Sequence, residues 1–235
     1  MPGQISYYNE FGKQFENSIL QCPEPEFWTT DYEQKGRVYC EIKDRVSKQN
    51  ELASTYFYKG SAVLDIGCGF GRQAILLARQ GYKVTGIDTS SVFIEIAKKL
   101  FERSALNGDF FCGDLLTTNL TSSKFSQVLV LDVLEHIRPA VRRAFFEKLF
   151  DICSAQAIVI LSLPRIKQRF TSKINNAIRR RITQHLSYFR HREEHPYPIP
   201  GISEIIGLMK GRFVLMHFSE STETAFYVLQ RIEKI

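Results

Sequence analysis

The chain has 235 residues, 44% of them hydrophobic and 24% charged, with a formal net charge of +6. That suffices for one α/β domain with a large core, is too short for two, and excludes a chain that is disordered throughout. No run approaches the roughly 18 apolar residues that span a bilayer. Residues 1–20 lack the apolar stretch behind a basic flank that marks a signal peptide. The five cysteines are scattered without a C-x-x-C pair, so a reduced, cytoplasmic protein without a disulfide framework or a zinc site is expected.

Residues 1–60 are aromatic and polar, carry Trp28, and read as helical from about Tyr32 to Ser54. Such a segment either caps the edge of a sheet or closes as a lid over a ligand crevice. From Ser61 onward, short β-branched runs alternate with helical patterns. Ala62–Ile66 reads as a buried strand, followed by the glycine run Gly67, Gly69 and Gly71 and a helix with Ala74, Leu77 and Ala78 on one face. Gly81 stands where that helix stops. Tyr82–Ile87 is the second strand. Ser90 or Ser91 caps the next helix, whose inner face is Phe93, Ile96, Ala97 and Leu100. Asp109–Cys112, Phe125–Leu131 and Ala157–Leu163 are three more strands, with a helix over Ala140–Phe150 before the last of them. This alternation implies a mainly parallel, doubly wound sheet with right-handed crossovers. The rhythm then breaks: a short helix over Ser203–Lys210 precedes two strands, Phe213–Phe218 and Ala225–Gln230, close enough only for an antiparallel hairpin.

Open α/β sheets bind ligands at the carboxyl ends of their strands, where strand order reverses. Glycines directly after the first strand let a ligand approach backbone N–H groups and a helix N-terminus. Three carboxylates end the first three strands. Asp65 precedes the glycines; Asp88, seventeen residues past Gly71, can accept both hydroxyls of a ribose; Asp114 lies within reach of an adenine amino group. Any one of them alone reads equally well as a cap or turn aspartate. All three beside the glycine bend point to a nucleoside ligand. The G-x-G-x-G spacing after an acid departs from the G-x-G-x-x-G of nicotinamide enzymes.

Val63-Leu64-Asp65-Ile66-Gly67-Cys68-Gly69-Phe70-Gly71 resembles the first motif of the class I S-adenosyl-L-methionine (SAM)-dependent methyltransferases. Gly86-Ile87-Asp88-Thr89-Ser90 resembles their second-strand motif and Gly113-Asp114-Leu115 their adenine-contacting one. Leu131-Asp132-Val133-Leu134-Glu135-His136-Ile137 is similar to the fourth-strand segment of the branch with the ubiquinone-biosynthesis O-methyltransferases. The resemblance covers Ser61 to Pro164 and, more loosely, the hairpin. It implies a seven-stranded sheet and SAM as cofactor. Asp65, Gly67 and Gly69, with Cys68 in the same bend, would surround the methionine part; Asp88 and Thr89 belong to the ribose, Asp114 and Leu115 to the adenine. Asp132 would border the methionine and the substrate mouth. Residues 1–60 then form a helical cap, 61–164 the SAM-binding core, 165–200 a basic insert and linker, and 201–235 the last helix and hairpin of a single domain.

A methyl group on a sulfonium needs chiefly an aligned nucleophile. A general base helps when the acceptor is a hydroxyl, and His136, just past the fourth strand, is the candidate; packing at a helix start is its other reading. The same segment has an acid-x-x-acid-His spacing, Asp132, Glu135 and His136, that suits a hard divalent ion. The metal-dependent relatives that methylate the 2′-hydroxyl of small RNA place a further histidine downstream, for which His185, His191 or His195 would serve. Between Arg165 and Arg192 stand nine Lys or Arg residues and no acid, with Ile166, Phe170, Ile174, Ile178 and Ile182 at helical spacing. This stretch reads as an ordinary amphipathic helix, as a membrane-surface helix facing anionic lipid, or as a site for a phosphate-rich partner, with nucleic acid ranked last. The expected activity is methyl transfer from SAM to an oxygen or nitrogen of a small-molecule or lipid-linked acceptor. The alternatives are a metal-assisted RNA ribose 2′-O-methyltransferase and a non-catalytic SAM-binding subunit.

Overall fold

The structure, a computed structural model, describes residues 2–21, 30–31, 37–38, 40–120, 124–165, 197–221 and 224–233. A seven-stranded sheet forms its centre. In chain order its strands are β3 (Ala62–Ile66), β4 (Lys83–Asp88), β5 (Gly108–Cys112), β6 (Phe125–Leu131), β7 (Cys153–Pro164), β8 (Phe213–Glu220) and β9 (Thr224–Arg231). A separate two-residue ribbon, β1 (Thr30–Asp31) with β2 (Arg37–Val38), precedes them. Helices α1 (Pro2–Gln21), α2 (Cys40–Tyr56), α3 (Arg72–Arg79), α4 (Ser91–Arg103), α5 (Pro139–Ile152) and α6 (Ile202–Met209) complete the described elements, with a 3-10 turn at Leu134–His136.

The strand order is β5-β4-β3-β6-β7-β9-β8. The first five strands of the sheet run parallel, and β9 and β8 close it antiparallel. From β3 the chain winds outward to β4 and β5, then returns to β6 on the other side. The crevice therefore opens between the ends of β3 and β6. Central strands are mostly apolar on both sides because helices cover both faces, with Asp65, Gln127 and Ser162 as buried polar exceptions. On one face Val63, Leu129, Ile160 and Val228 pack with α2, α3 and α4. On the other Leu64, Val128, Val130 and Leu161 pack with α5 and α6.

Most expected elements stand where the pattern puts them. Ser90 rather than Ser91 caps α4, its side chain accepting from the Phe93 N–H at 3.2 Å. Gly81 ends α3 with φ +90°. β7 starts earlier than expected, at Cys153, because Gln156 takes a left-handed φ of +57° and the register against β6 shifts there. The helix expected from Tyr32 begins only at Cys40, since β-branched Val38 pairs with Thr30 across the ribbon. The basic insert lies outside the described residues apart from Arg165 and the linker end at 197–200. No helix among the described residues is long and apolar enough to cross a membrane.

Within residues 1–60, expected to be helical, α1 was not placed as a separate helix. Tyr8, Phe11, Phe15 and Ile19 follow one another at helical spacing, and Phe11 meets Phe93 of α4 at a ring distance of 6.0 Å. At Gly12 the two helices cross so closely that a Cβ would lie 2.7 Å from Cγ1 of Val92. Asn9 adds a polar tie, its Oδ1 accepting from the Ser90 hydroxyl at 2.8 Å.

Arg142 of α5 is 1% exposed and binds three separate segments. It donates from Nε to the Ile137 carbonyl at 3.1 Å, from Nη1 to Glu204 at 2.8 Å, and from Nη2 to the Pro198 carbonyl. Replacing it with Met leaves both carbonyls without this donor, while Glu204, partly exposed, rehydrates. Arg142→Met is expected to lower stability by about 2 kcal/mol, measured as a shift of the urea midpoint at constant slope.

Candidate active site

The ends of β3, β4, β5 and β6 and the first two turns of α1 enclose a cavity of 370 Å³, within the usual range for a small-molecule site. Its polar wall comes from Gly67, Gly69, Asp88, Thr89, Gly113, Asp114, Asp132 and His136, and its apolar wall includes Ile66, Ile87, Phe93, Leu115, Val133, Ile137 and Phe145. Gln4, Ile5 and Tyr8 form the part contributed by the cap. Of the residues expected around a cofactor, Gly67, Gly69, Asp88, Thr89, Asp114, Leu115 and Asp132 line this space, as does His136. Asp65 and Cys68 do not; they stand behind the bend, 2% and 8% exposed.

The bend is bare for a steric reason. Gly67, at φ +71°, has Cγ2 of Val133 where its Cβ would reach, 2.5 Å away. Gly69 and Gly71 also have positive φ, +53° and +84°, a region that other residues adopt rarely. Backbone donors tie the bend to β4: the Gly67 and Cys68 N–H groups reach the Ile87 carbonyl at 2.8 and 3.2 Å. The Gly69 N–H donates to Oδ2 of Asp88 at 2.9 Å, and the Ser90 N–H to Oδ1 at 2.8 Å. Asp114 is fixed likewise, accepting from the Leu116 N–H at 2.9 Å.

Burial governs the acids. It pushes Asp88 above the usual carboxylate range, while N–H bonds from Ser90, Gly69 and Thr89 pull it partly back. Asp65 rises from 3.8 to about 7, first through burial and then through the charge on Asp88, and its Oδ2 has no hydrogen-bond partner among the described residues. Glu135 is 0% exposed with neither carboxyl oxygen partnered among them. Burial, and then the Asp132 charge, hold it well above its ordinary value against the pull of its own N–H, Arg45 and Arg142. Burial thus disfavours the charged form of Glu135.

Asp132 is treated differently. At φ +54° it adopts the left-handed conformation without being glycine. Ser162 holds it there, its hydroxyl donating to Oδ1 at 2.9 Å and its carbonyl accepting the Asp132 N–H at 3.1 Å. Oδ2 pairs with Arg45 of α2 at 2.9 Å. The acid-x-x-acid-His spacing therefore does not assemble a cation site: Arg45 and Ser162 occupy the first acid and the second turns inward. No group of three or more His, Cys, Asp and Glu residues suited to a metal occurs among the described residues. His185, His191 and His195 lie outside them.

His136 faces the cavity against α1. Gln4 Nε2 lies 3.0 Å from its Nδ1, and the Tyr8 hydroxyl lies 3.4 Å from Nδ1 and 3.3 Å from Nε2. Gln4, Tyr8 and Arg45 were missed in the sequence because each acts on a residue far along the chain. The helical spacing of Tyr8, Phe11, Phe15 and Ile19 was the available signal for the first two.

Residues 63–156 match the family described as "Methyltransferase domain". A ubiquinone biosynthesis O-methyltransferase of Coxiella burnetii is 37% identical over 79 residues, 34% of this chain and 34% of that protein. The chain thus matches about a third of the length of such curated relatives. Among solved structures, the magnesium protoporphyrin IX methyltransferase of Synechocystis PCC 6803 with bound SAH superposes with a TM-score of 0.64 at 20% identity, covering 96% of each chain. A [4+2]-cyclase superposes with a TM-score of 0.66 at 13% identity, covering 95% of this chain and 96% of the other. These two likenesses are likenesses of fold.

Asp65 gives the site a measurable pH signature. Its folded carboxyl holds a proton more tightly than the unfolded chain does, so between about pH 4 and 7 unfolding releases that proton and stability falls as pH rises. Asp65→Asn needs no proton. The variant is expected to reduce the decline in thermal stability of the unliganded protein between pH 5 and pH 8, and to melt higher than the unsubstituted protein at pH 8. Glu135 contributes a slope of the same sign and remains.

Proposed function

We infer that this chain, a member of the class I S-adenosylmethionine-dependent methyltransferases, moves a methyl group from SAM to an oxygen atom of a small-molecule acceptor. The observation that carries this reading is the side-chain-free bend at Gly67 and Gly69 facing the same cavity as Asp88 and Asp114. When bound, SAM supplies a methyl group on a sulfonium already primed for displacement. Asp88 would accept the ribose hydroxyls on lone pairs left over from the Gly69 and Ser90 bonds. Asp114 and Leu115 would hold the adenine, with Thr89 beside the ribose. Gly67 and Gly69 would receive the methionine end, and the orphaned Oδ2 of Asp65 behind them suits an ammonium group arriving there. Cys68 supports the bend from behind, and Asp132, fixed by Arg45 and Ser162, borders the acceptor side.

Oxygen is the favoured acceptor atom because O-methylation is the chemistry named for the matched relatives and because an imidazole, His136, lines the cavity. A hydroxyl must lose its proton as it is methylated, and His136 is the proposed base. Val133, Ile137, Val141 and Phe145 on the apolar wall suit a hydrophobic or lipid-linked acceptor. The nine basic residues between Arg165 and Arg192 fit contact with an anionic membrane surface. The free cysteines among the described residues, Cys68, Cys112 and Cys153, accord with a reducing cytoplasm. The reading takes residues 61–164 as the cofactor-binding core of one domain, with 1–60 as its cap.

Calorimetry with SAM and with S-adenosylhomocysteine tests the reading directly. Asp88→Ala removes both acceptor oxygens and is expected to weaken binding about 100-fold or more. Asp88→Asn, which keeps one oxygen, should fall between that and the unsubstituted protein. A folded, unsubstituted protein that gives no binding heat with either compound refutes the reading.

A further inference from the structure

Asp65 stands beside a row of backbone donors and receives none of them. It is 2% exposed. Leu64 and Ile66 pack with the α5 and α6 side, so Asp65 shares with Val63 the face covered by α2, α3 and α4. The N–H groups of the bend are spent elsewhere. Gly67 and Cys68 donate to the Ile87 carbonyl, Gly71 to the Cys68 carbonyl at 3.0 Å, and Gly69 to Asp88. Among the described residues Oδ2 is left without a partner.

The neighbouring elements do not make up the loss. Gly86 of β4 and Leu129 of β6 stand in register with Asp65, and neither has a side chain that bonds a carboxylate. The charge that acts on Asp65 is that of Asp88, which is of the same sign. On the bend, burial first and then the charges of Asp65 and Asp88 keep the Cys68 thiol well above its ordinary value. No charge of α2, α3 or α4 offsets these acids; Arg45 of α2 pairs with Asp132. A carboxyl so placed is held better as the neutral acid, and its pKa stands at about 7.

Resting on the reading of the bend as the seat of the methionine end, we propose that cofactor binding here is proton-coupled: Asp65 carries a proton before the cofactor binds and gives it to solvent when the ammonium group reaches the bend. The O–H bond of the carboxylic acid breaks, the proton passes to the buffer, and the carboxylate left behind faces the ammonium charge. An opposite charge within about 4–6 Å lowers a carboxyl pKa by about 1–3 units, which ionises Asp65 below neutral pH. The free protein then holds a proton that the complex does not. Affinity therefore rises with pH up to about 7 and levels off above it. For a shift of about two units, the gain from pH 6 to pH 8 is about tenfold.

Titration calorimetry of the full chain with S-adenosylhomocysteine, in buffers of different ionisation enthalpy, reads the released proton as a buffer-dependent heat. About 0.8 proton per ligand is expected at pH 6 and about 0.1 at pH 8. The comparison ligand is 5′-methylthioadenosine, which keeps the adenosine and the sulfur but has no ammonium group, and it is expected to bind without release. Asp65→Asn fixes the neutral state. It is expected to bind S-adenosylhomocysteine about 100-fold more weakly than the unsubstituted protein at pH 8 and about 10-fold more weakly at pH 6. Its affinity for 5′-methylthioadenosine should stay within about threefold, whereas a merely structural defect weakens both ligands alike. A heat at pH 6 that does not depend on the buffer overturns the inference, as does an equal release with 5′-methylthioadenosine or in Asp65→Asn. A folded protein that binds neither ligand overturns the methyltransferase reading on which it rests.

Discussion

The fold depends on one close approach: the bend that ends β3 is pressed against the loop that ends β6. Val133 occupies the space where a side chain at position 67 would go, so a glycine is needed there on steric as well as conformational grounds. The opposing residue, Asp132, adopts a left-handed backbone that would be strained if it were free. Ser162, from the next strand, over-determines that conformation by bonding both the backbone and the side chain of Asp132. Two strands that diverge toward opposite halves of the sheet are thus locked together at their ends. The cavity is the space left where they part.

That lock is made under low dielectric, and the electrostatics follow. Asp65 and Glu135 are removed from water and Asp88 is half-buried at the cavity wall, which disfavours their charged forms. Asp88 is compensated by backbone N–H groups of the bend and of the helix start. Asp132 is compensated by Arg45, which also pins α2 to the end of β6. For Glu135, burial and the Asp132 charge outweigh the pull of its own N–H, Arg45 and Arg142. Three residues spaced like metal ligands therefore resolve into an ion pair, a buried acid and an imidazole turned to α1.

The legible part of this protein was the part whose signal is local. β-branched runs broken by glycine placed β3, β4 and β6 within a residue or so, because a fully buried strand must be apolar along its whole length. Asp88, Asp114 and the glycines were readable for the same reason: each sits at a strand end a fixed few residues from the pattern that defines it. What escaped is carried by contacts distant in sequence. α1 combines Gly3 and Gly12, poor helix formers, with a Tyr7-Tyr8-Asn9 run that obscures its spacing, and its helical state is secured by packing on α4. Arg45 gives no local sign that it will meet Asp132. The inward turn of Glu135 could not be told from the outward turn of His136, since the 3-10 geometry that separates them is set by the packing of the loop.

The division between local and distant signals is also a division between fold and chemistry. The fold is shared with both a methyltransferase and a [4+2]-cyclase, so the fold alone does not choose a reaction. In this chain the helices before the sheet make contacts of their own with the strand ends: Gln4 and Tyr8 reach His136, Arg45 reaches Asp132, and Asn9 reaches Ser90. Each of these bonds joins an N-terminal helix to a strand-end loop of the core. His136 and Asp132, both at the cavity wall, thus take part of their bonding from helices that precede the sheet in the chain.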